Sequence, residues 1–258
     1  MPMIDADGCP IYVEVEGRED APALMLSNSL GTNLHMWDEQ AGEWAKYFRV
    51  IRYDRRGHGK SGVPEGPYSM ERFGRDVLAI LDALEIEKTN WCGLSMGGMV
   101  GQWLGANAPD RVEKLVLSNT NFHYADKAPW ADRIKFVQEK GLAELVDPNM
   151  ERWFTKDFRA RAPQTIARMK EMFVATDPVG YIACCEAIRD MDFTESNSRI
   201  TAPTLVIVGK QDPATPPAAG EAIAKQVKGA EVAALDAAHI SNMEQPKLYT
   251  ETVLEFLQ

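Results

Sequence analysis

The chain has 258 residues, of which 45% are hydrophobic and 26% are charged, and its formal net charge is −10. This length suits one large core domain with a modest insertion, and the composition is typical of a globular protein. The acidic balance argues against a nucleic acid or an anionic membrane as the partner. It does not exclude an anionic small molecule, because a pocket can carry its own cations.

The N-terminal ten residues contain acids and no apolar run, so we expect no secretory signal, and no run approaches the roughly 20 apolar residues that span a bilayer. The four cysteines are Cys9, Cys92, Cys184 and Cys185. They form no Cys-x-x-Cys pair, and no histidine cluster has zinc spacing. We therefore expect free thiols, a cytoplasmic location, and neither a metal nor an organic cofactor. A homo-oligomer remains open.

Two kinds of pattern predict strands: the alternation at 11–16 indicates a half-exposed strand, and short apolar runs that end in turn residues indicate buried strands. In chain order they cover residues 11–16, 23–27, 50–54, 90–93, 115–119, 204–209 and 232–235. Amphipathic stretches between them predict helices at 70–84, 96–108, 217–227 and 245–257. Strands that alternate with helices indicate an α/β fold with a mostly parallel sheet.

Residues 122–197 break this alternation. The segment is helical in pattern, rich in aromatic and basic residues, and interrupted by Pro129, Pro148, Pro163 and Pro178. We predict that it forms a helical cap inserted between two strands of a core made of residues 1–121 and 198–258.

The segment Gly93-Leu94-Ser95-Met96-Gly97 matches the Gly-x-Ser-x-Gly motif. The motif is short enough to occur by chance, but here a strand precedes it and a helix follows, as a nucleophile elbow requires. Small residues at 93 and 97 let the strand and the helix pass closely. The sequence predicts that Ser95 is a nucleophile in a strained turn at the carboxyl edge of the sheet.

A serine hydroxyl needs a base, and in this type of fold the order along the chain is serine, acid, histidine. His239 follows the last predicted strand and is the predicted base. His58 lies upstream of the serine in a glycine-bracketed loop, which favours a structural role. His35 and His123 are interpreted as solvated loop residues.

The acid should follow the end of a strand that lies between Ser95 and His239 in the chain. Asp212 lies three residues beyond the predicted strand 204–209, where a loop can bring it beneath the imidazole. The end of the earlier strand is the rival position, but Asn119 there cannot supply a carboxylate. Asp236 is too close to His239 in the sequence.

Two backbone N–H groups are predicted to form the oxyanion hole. Met96 follows the nucleophile at a helix N-terminus, and Leu30 lies in the loop 27–32 after a predicted strand.

These segments together resemble the 3-oxoadipate enol-lactonases of the α/β-hydrolase superfamily. The likeness runs through nearly the whole chain. The most specific motif is Asn28-Ser29-Leu30-Gly31-Thr32, and further similar segments are 53–59, 93–98, 187–190 and 236–242 together with Trp37.

The resemblance implies an α/β-hydrolase fold with an eight-stranded, mostly parallel sheet and a helical cap. It also implies hydrolysis of a five-membered enol lactone that bears a carboxymethyl arm, through an acyl-enzyme on Ser95. The arm needs a cationic patch. The cap offers Arg133 near Trp130 and Arg152 near Trp153, of which we favour Trp130 as a pocket wall and Arg133 as the carboxylate partner.

Three alternatives stay open at this point. One is another small carboxylesterase or lactonase, or a carbon–carbon-bond hydrolase, because cap contacts set specificity. Another is a perhydrolase side activity of the same triad. The third is a ligand receptor on a hydrolase scaffold, which slow turnover combined with ligand-dependent binding of a partner would indicate.

Overall fold

A single eight-stranded β-sheet lies at the centre of the chain in a computed structural model, which describes residues 3–258. The spatial strand order is β1-β2-β4-β3-β5-β6-β7-β8, and only the β1–β2 and β2–β4 pairs are antiparallel. The predicted eight-stranded, mostly parallel sheet is therefore confirmed. The strands are β1 Met3–Ala6, β2 Cys9–Glu16, β3 Ala23–Ser27, β4 Arg49–Tyr53, β5 Thr89–Leu94, β6 Val112–Ser118, β7 Thr204–Gly209 and β8 Glu231–Leu235.

Helices cover the sheet, and the central strands are correspondingly apolar on both faces. Every residue of β3, β5 and β7 is buried, as expected for parallel strands between helical layers. The helices are α1 Asp38–Trp44, α2 Met70–Ala83, α3 Met96–Asn107, α4 Ala128–Lys140, α5 Val146–Trp153, α6 Lys156–Arg161, α7 Pro163–Val174, α8 Pro178–Asp190, α9 Pro217–Gln226, α10 Ser241–Glu244 and α11 Pro246–Leu257.

The sequence predicted most of these elements closely. The strands at 23–27 and 204–209 have the predicted ends, and α2, α3, α9 and α11 each differ from prediction by one residue at one end. Strand β1 was not predicted. It has only four residues, of which two are exposed, and so it lacks the apolar run that marks the central strands.

Five helices, α4 to α8, lie between β6 and β7, so the predicted helical insertion is confirmed. Within the described chain, this region has no named strand, only an isolated bridge between His123 and Asp192. The insertion begins at the carboxyl end of β6 and lies over the edge where ligands of open α/β sheets bind. The exact division at residues 122 and 197 stays a prediction.

All four cysteines are buried and free, as the sequence predicted. No helix in the described part of the chain is both long and apolar enough to cross a bilayer.

Candidate active site

Ser95 occupies the sharp turn between β5 and α3. Its φ is +58° and its ψ is −114°, a conformation that side-chain-bearing residues rarely adopt. Three hydrogen bonds hold this backbone: the Ser95 N–H donates to Ser118 O (2.8 Å), and Ser95 O accepts from Thr120 Oγ1 (2.7 Å) and from Met99 N–H (3.1 Å). The strain that the motif predicts is therefore present and fixed by the neighbouring strand.

The two glycines of the motif allow this turn to pack. A Cβ on Gly93 would lie 2.2 Å from the carbonyl oxygen of Gly97. A Cβ on Gly97 would lie 2.1 Å from the carbonyl oxygen of Ser27 in β3. Neither position can hold a side chain without moving backbone, so both glycines are required for the elbow to sit against the sheet.

His239 and Asp212 form a buried hydrogen-bonded pair. The distance between His239 Nδ1 and Asp212 Oδ2 is 2.9 Å, and the two residues are 3% and 4% exposed. Asp212 lies in the loop after β7, and His239 lies in the loop after β8, as the sequence predicted. Ser95 and His239 line one cavity, whereas Asp212 lies behind the imidazole.

The Asp212 carboxylate accepts hydrogen bonds from several groups. Oδ1 accepts from the N–H groups of Ala214 (2.8 Å) and Thr215 (3.0 Å), and Oδ2 accepts from Thr215 Oγ1 (2.7 Å). Burial acts to raise the pKa of Asp212. The His239 charge and the hydrogen bonds from His239 and Thr215 outweigh it and hold the pKa below its ordinary value. The carboxylate is therefore ionised and able to orient an imidazole.

Of the two predicted oxyanion donors, Leu30 lies in the loop after β3 and Met96 is the first residue of α3. Among residues 3–258, the N–H groups of Leu30 and Met96 have no acceptor. The Leu30 loop is held on both sides, because Gly97 N–H donates to Asn28 O (3.0 Å) and Gly31 N–H donates to His58 Nε2 (2.9 Å). Two fixed and unused donors near Ser95 suit an oxyanion.

His58 is buried and is not among the described residues that line the cavity, and its protonation state follows from its contacts. Burial, together with the Arg55 charge, lowers the pKa of His58 to about 3. The ring is therefore neutral, and since Nε2 accepts from Gly31, the proton lies on Nδ1. Nδ1 is 3.8 Å from Cys184 Sγ in α8, so His58 links the Leu30 loop to the cap.

The cavity beside Ser95 lies between the core and the cap and offers about 60 Å³ to the centre of a water-sized sphere. Its core walls include Leu30, Ser95 and His239. Its cap walls include Trp130 and Arg133, so both predicted substrate-binding residues face the same cavity as the nucleophile.

Arg133 is half-buried and fixed by two neutral groups. Its Nε donates to Tyr181 Oη (2.7 Å), and its Nη2 donates to Asn149 Oδ1 (2.6 Å). Arg152 also lines the cavity but is exposed. Within the described residues, neither arginine pairs with a carboxylate. The cavity wall thus carries two cations without a protein counter-ion.

The cap is tied directly to the His239 loop. Ile240 N–H donates to Trp153 O (3.0 Å) at the end of α5. The buried Glu244 carboxylate accepts from Ala238 N–H (3.1 Å) and from the hydroxyl of Thr155 in the cap. A displacement of the cap would therefore reach the histidine.

Other residues considered from sequence lie elsewhere. Asp236 is exposed and bonds Gln211 (2.9 Å), and Asn119 is a donor to Asp212 rather than an acid. His35 and His123 are not among the described residues that line the cavity. Across residues 3–258, no cluster of three or more His, Cys, Asp or Glu residues could hold a metal ion.

Sequence reasoning missed Thr215 and Asn119, which donate to Asp212, and Ser241, which donates to Asn119. The Asp-x-x-Thr spacing of 212–215 is a local signal for a side chain that caps its own turn, and could have indicated Thr215. Asn119 and Ser241 lie far from Asp212 along the chain, and no local pattern connects them.

Comparison with known proteins agrees with this geometry. The sequence pattern of the alpha/beta hydrolase fold family matches residues 22–246. The 3-oxoadipate enol-lactonase 2 of Acinetobacter baylyi is 39% identical, over 92% of this chain and 89% of that protein. This chain belongs to the 3-oxoadipate enol-lactonase family of α/β-hydrolases. The resemblance inferred from the sequence motifs is thereby confirmed.

Two further relatives match this enol-lactonase family member over almost its whole length. The 3-oxoadipate enol-lactonase 1 of the same organism is 36% identical, over 97% of this chain and 94% of that protein. The crystal structure of the enol-lactonase from Burkholderia xenovorans LB400 has a TM-score of 0.96 and 42% identity, and covers 98% of both chains. The likeness includes the cap.

Proposed function

We propose that this protein hydrolyses 3-oxoadipate enol-lactone to 3-oxoadipate, with Ser95 as nucleophile, His239 as base and Asp212 as the carboxylate that orients His239. The observation that carries the proposal is the buried 2.9 Å His239–Asp212 pair, whose imidazole lines the same cavity as the strained Ser95. Membership of the enol-lactonase family supports the choice of substrate. The product, 3-oxoadipate, belongs to the β-ketoadipate route of aromatic catabolism.

In the first half-reaction, Ser95 Oγ attacks the lactone carbonyl while His239 Nε2 takes its proton. The imidazolium that forms is stabilised by the ionised Asp212 at Nδ1. The N–H groups of Leu30 and Met96 would hold the negative oxygen of the tetrahedral intermediate.

The intermediate then breaks the ring carbon–oxygen bond, and the released oxygen is that of an enol. An enolate is a better leaving group than an alkoxide, so little acid assistance is required, and His239 returns the proton. The enol remains part of the acyl group on Ser95 and tautomerises to the ketone. Water activated by His239 cleaves the acyl-enzyme and frees 3-oxoadipate.

The carboxymethyl arm of the substrate requires a cation. Arg133 faces the cavity, and its fork is oriented by Tyr181 and Asn149 without being neutralised by an acid. A fixed guanidinium loses little freedom when it binds a carboxylate. Trp130, whose ring packs edge-on against Tyr124 at 5.5 Å, would form the apolar wall beside the lactone ring.

The direct test is turnover of 3-oxoadipate enol-lactone, followed by loss of its ultraviolet absorbance, with an aryl acetate in parallel. We expect kcat/KM for the lactone of about 10⁴–10⁸ M⁻¹s⁻¹. It should exceed that of the aryl ester by orders of magnitude. If only the aryl ester is hydrolysed, the triad chemistry stands but the lactonase assignment fails.

Replacement of Arg133 separates recognition of the carboxylate from the chemistry. We expect Arg133→Leu to raise KM about 10- to 100-fold for the carboxylate-bearing lactone, the scale of one charged hydrogen bond. KM for a neutral ester should change little. Arg152→Leu is the matched control, because Arg152 lines the same cavity. An equal KM change for both substrates, or a larger effect of Arg152→Leu, would reject Arg133 as the carboxylate partner.

A further inference from the structure

Asn119 lies at the carboxyl end of β6, one strand from the nucleophile, and is 1% exposed. Its φ is +45°, a left-handed conformation in which asparagine is among the few side-chain-bearing residues commonly found. Its backbone N–H donates to Ile207 O in β7 (2.8 Å), which fixes it between the two strands. The amide therefore projects from a rigid point of the sheet.

The Asn119 side chain contacts the acid and both flanks of the base. Its Nδ2 donates to Asp212 Oδ2 (3.0 Å) and to Ala238 O (3.2 Å). Its Oδ1 accepts from Ser241 Oγ (2.6 Å). Residues 238 and 241 lie on either side of His239, so one side chain links the acid to both arms of the histidine loop.

Only one orientation of this amide satisfies its surroundings. In the opposite orientation, Oδ1 would face the Asp212 carboxylate and the Ala238 carbonyl, and acceptors would oppose acceptors. Ser241 Oγ donates to Oδ1 and stabilises the observed orientation. The donors that Asn119 offers are therefore directed at an ionised Asp212.

We propose that Asn119 is a positioning residue that sets the distance and angle between Asp212 and the His239 imidazole. The inference rests on the triad of the proposed function but not on the lactone as substrate. A small misplacement of a catalytic group costs rate rather than affinity, because the substrate-binding walls do not move. Loss of the Asn119 amide should accordingly lower kcat and leave KM unchanged.

Asn119→Gly is the suitable variant, since glycine adopts a positive φ without strain and only the amide is lost. We expect kcat for an aryl acetate to fall about 10- to 100-fold, with KM within about twofold. The rate at which a fluorophosphonate labels Ser95 should fall by a similar factor, because that attack also needs His239. The control is Asn90→Ala, which removes a buried amide that bonds Ala23 O (3.1 Å) near the opposite end of β5. It should lower Tm but not kcat.

Ser241→Ala provides a second test if Asn119→Gly does not fold. It removes the hydroxyl that orients the amide, and we expect kcat to fall about 2- to 10-fold, the scale of one hydrogen bond. Unchanged kcat and labelling in a folded Asn119→Gly would overturn the proposal, as would unchanged kcat in Ser241→Ala if the glycine variant cannot be obtained. A wild-type protein in which Ser95 is not labelled would instead contradict the proposed triad itself.

Discussion

Ser95→Ala should lower kcat/KM for both the lactone and an aryl ester by about 10⁵- to 10⁶-fold, the scale of nucleophile loss in a serine hydrolase. In the proposed mechanism, this hydroxyl is the only group of the protein that forms a covalent bond to the substrate. The remaining rate would come from the oxyanion donors and from binding alone.

The fold should survive this replacement. The contacts that hold the turn are made by the Ser95 backbone, to Ser118 and Thr120, and alanine preserves them. Circular dichroism and Tm should therefore match the wild type closely. The control is Ser118→Ala, which removes a buried hydroxyl 2.7 Å from Tyr249 Oη and outside the cavity. Activity of the Ser95→Ala protein within tenfold of the wild type would reject Ser95 as the nucleophile.

Elements that a short stretch of sequence specifies could be predicted. The central parallel strands β3, β5 and β7 are buried on both faces and therefore read as short apolar runs, so their positions were predictable within a few residues. The elbow was predictable because close packing demands glycine at 93 and 97, and the demand is visible as a motif. Asp212 and His239 could be placed because each follows a strand whose carboxyl end faces the same edge.

Features that depend on contacts across the fold were not predictable. The contact of Asn119 with Asp212 spans 93 positions, and that of Arg133 with Tyr181 spans 48. The sequence reasoning set Asn119 aside because it lacks a carboxylate, although its amide donors proved to face the acid. Which ring nitrogen of His58 carries the proton likewise depends on Gly31 and Cys184, which come together only when the chain folds.

Asp212→Asn should lower kcat by about 10³- to 10⁴-fold with little change in shape. Asp212 is surrounded only by donors: its Oδ1 faces two backbone N–H groups, and its Oδ2 faces His239, Thr215 and Asn119. The NH₂ group of an asparagine at this position must point either at the two backbone N–H groups or at the donors that now face Oδ2. If the NH₂ faces His239, it donates to Nδ1 and forces the proton onto Nε2.

An imidazole with its proton on Nε2 cannot accept the proton of Ser95, so the base is lost although every residue remains in place. If the NH₂ instead faces the two backbone N–H groups, donor faces donor, and the repulsion displaces the loop. The imidazole then loses its orientation. The matched control is Asp236→Asn, an exposed acid only three residues from His239, which should keep kcat unchanged. Asp236 is close to His239 along the chain, but its carboxylate accepts a hydrogen bond from Gln211 rather than from the imidazole. Equal losses of kcat in both variants would therefore show that negative charge near His239, and not the Asp212 hydrogen bond, supports the reaction.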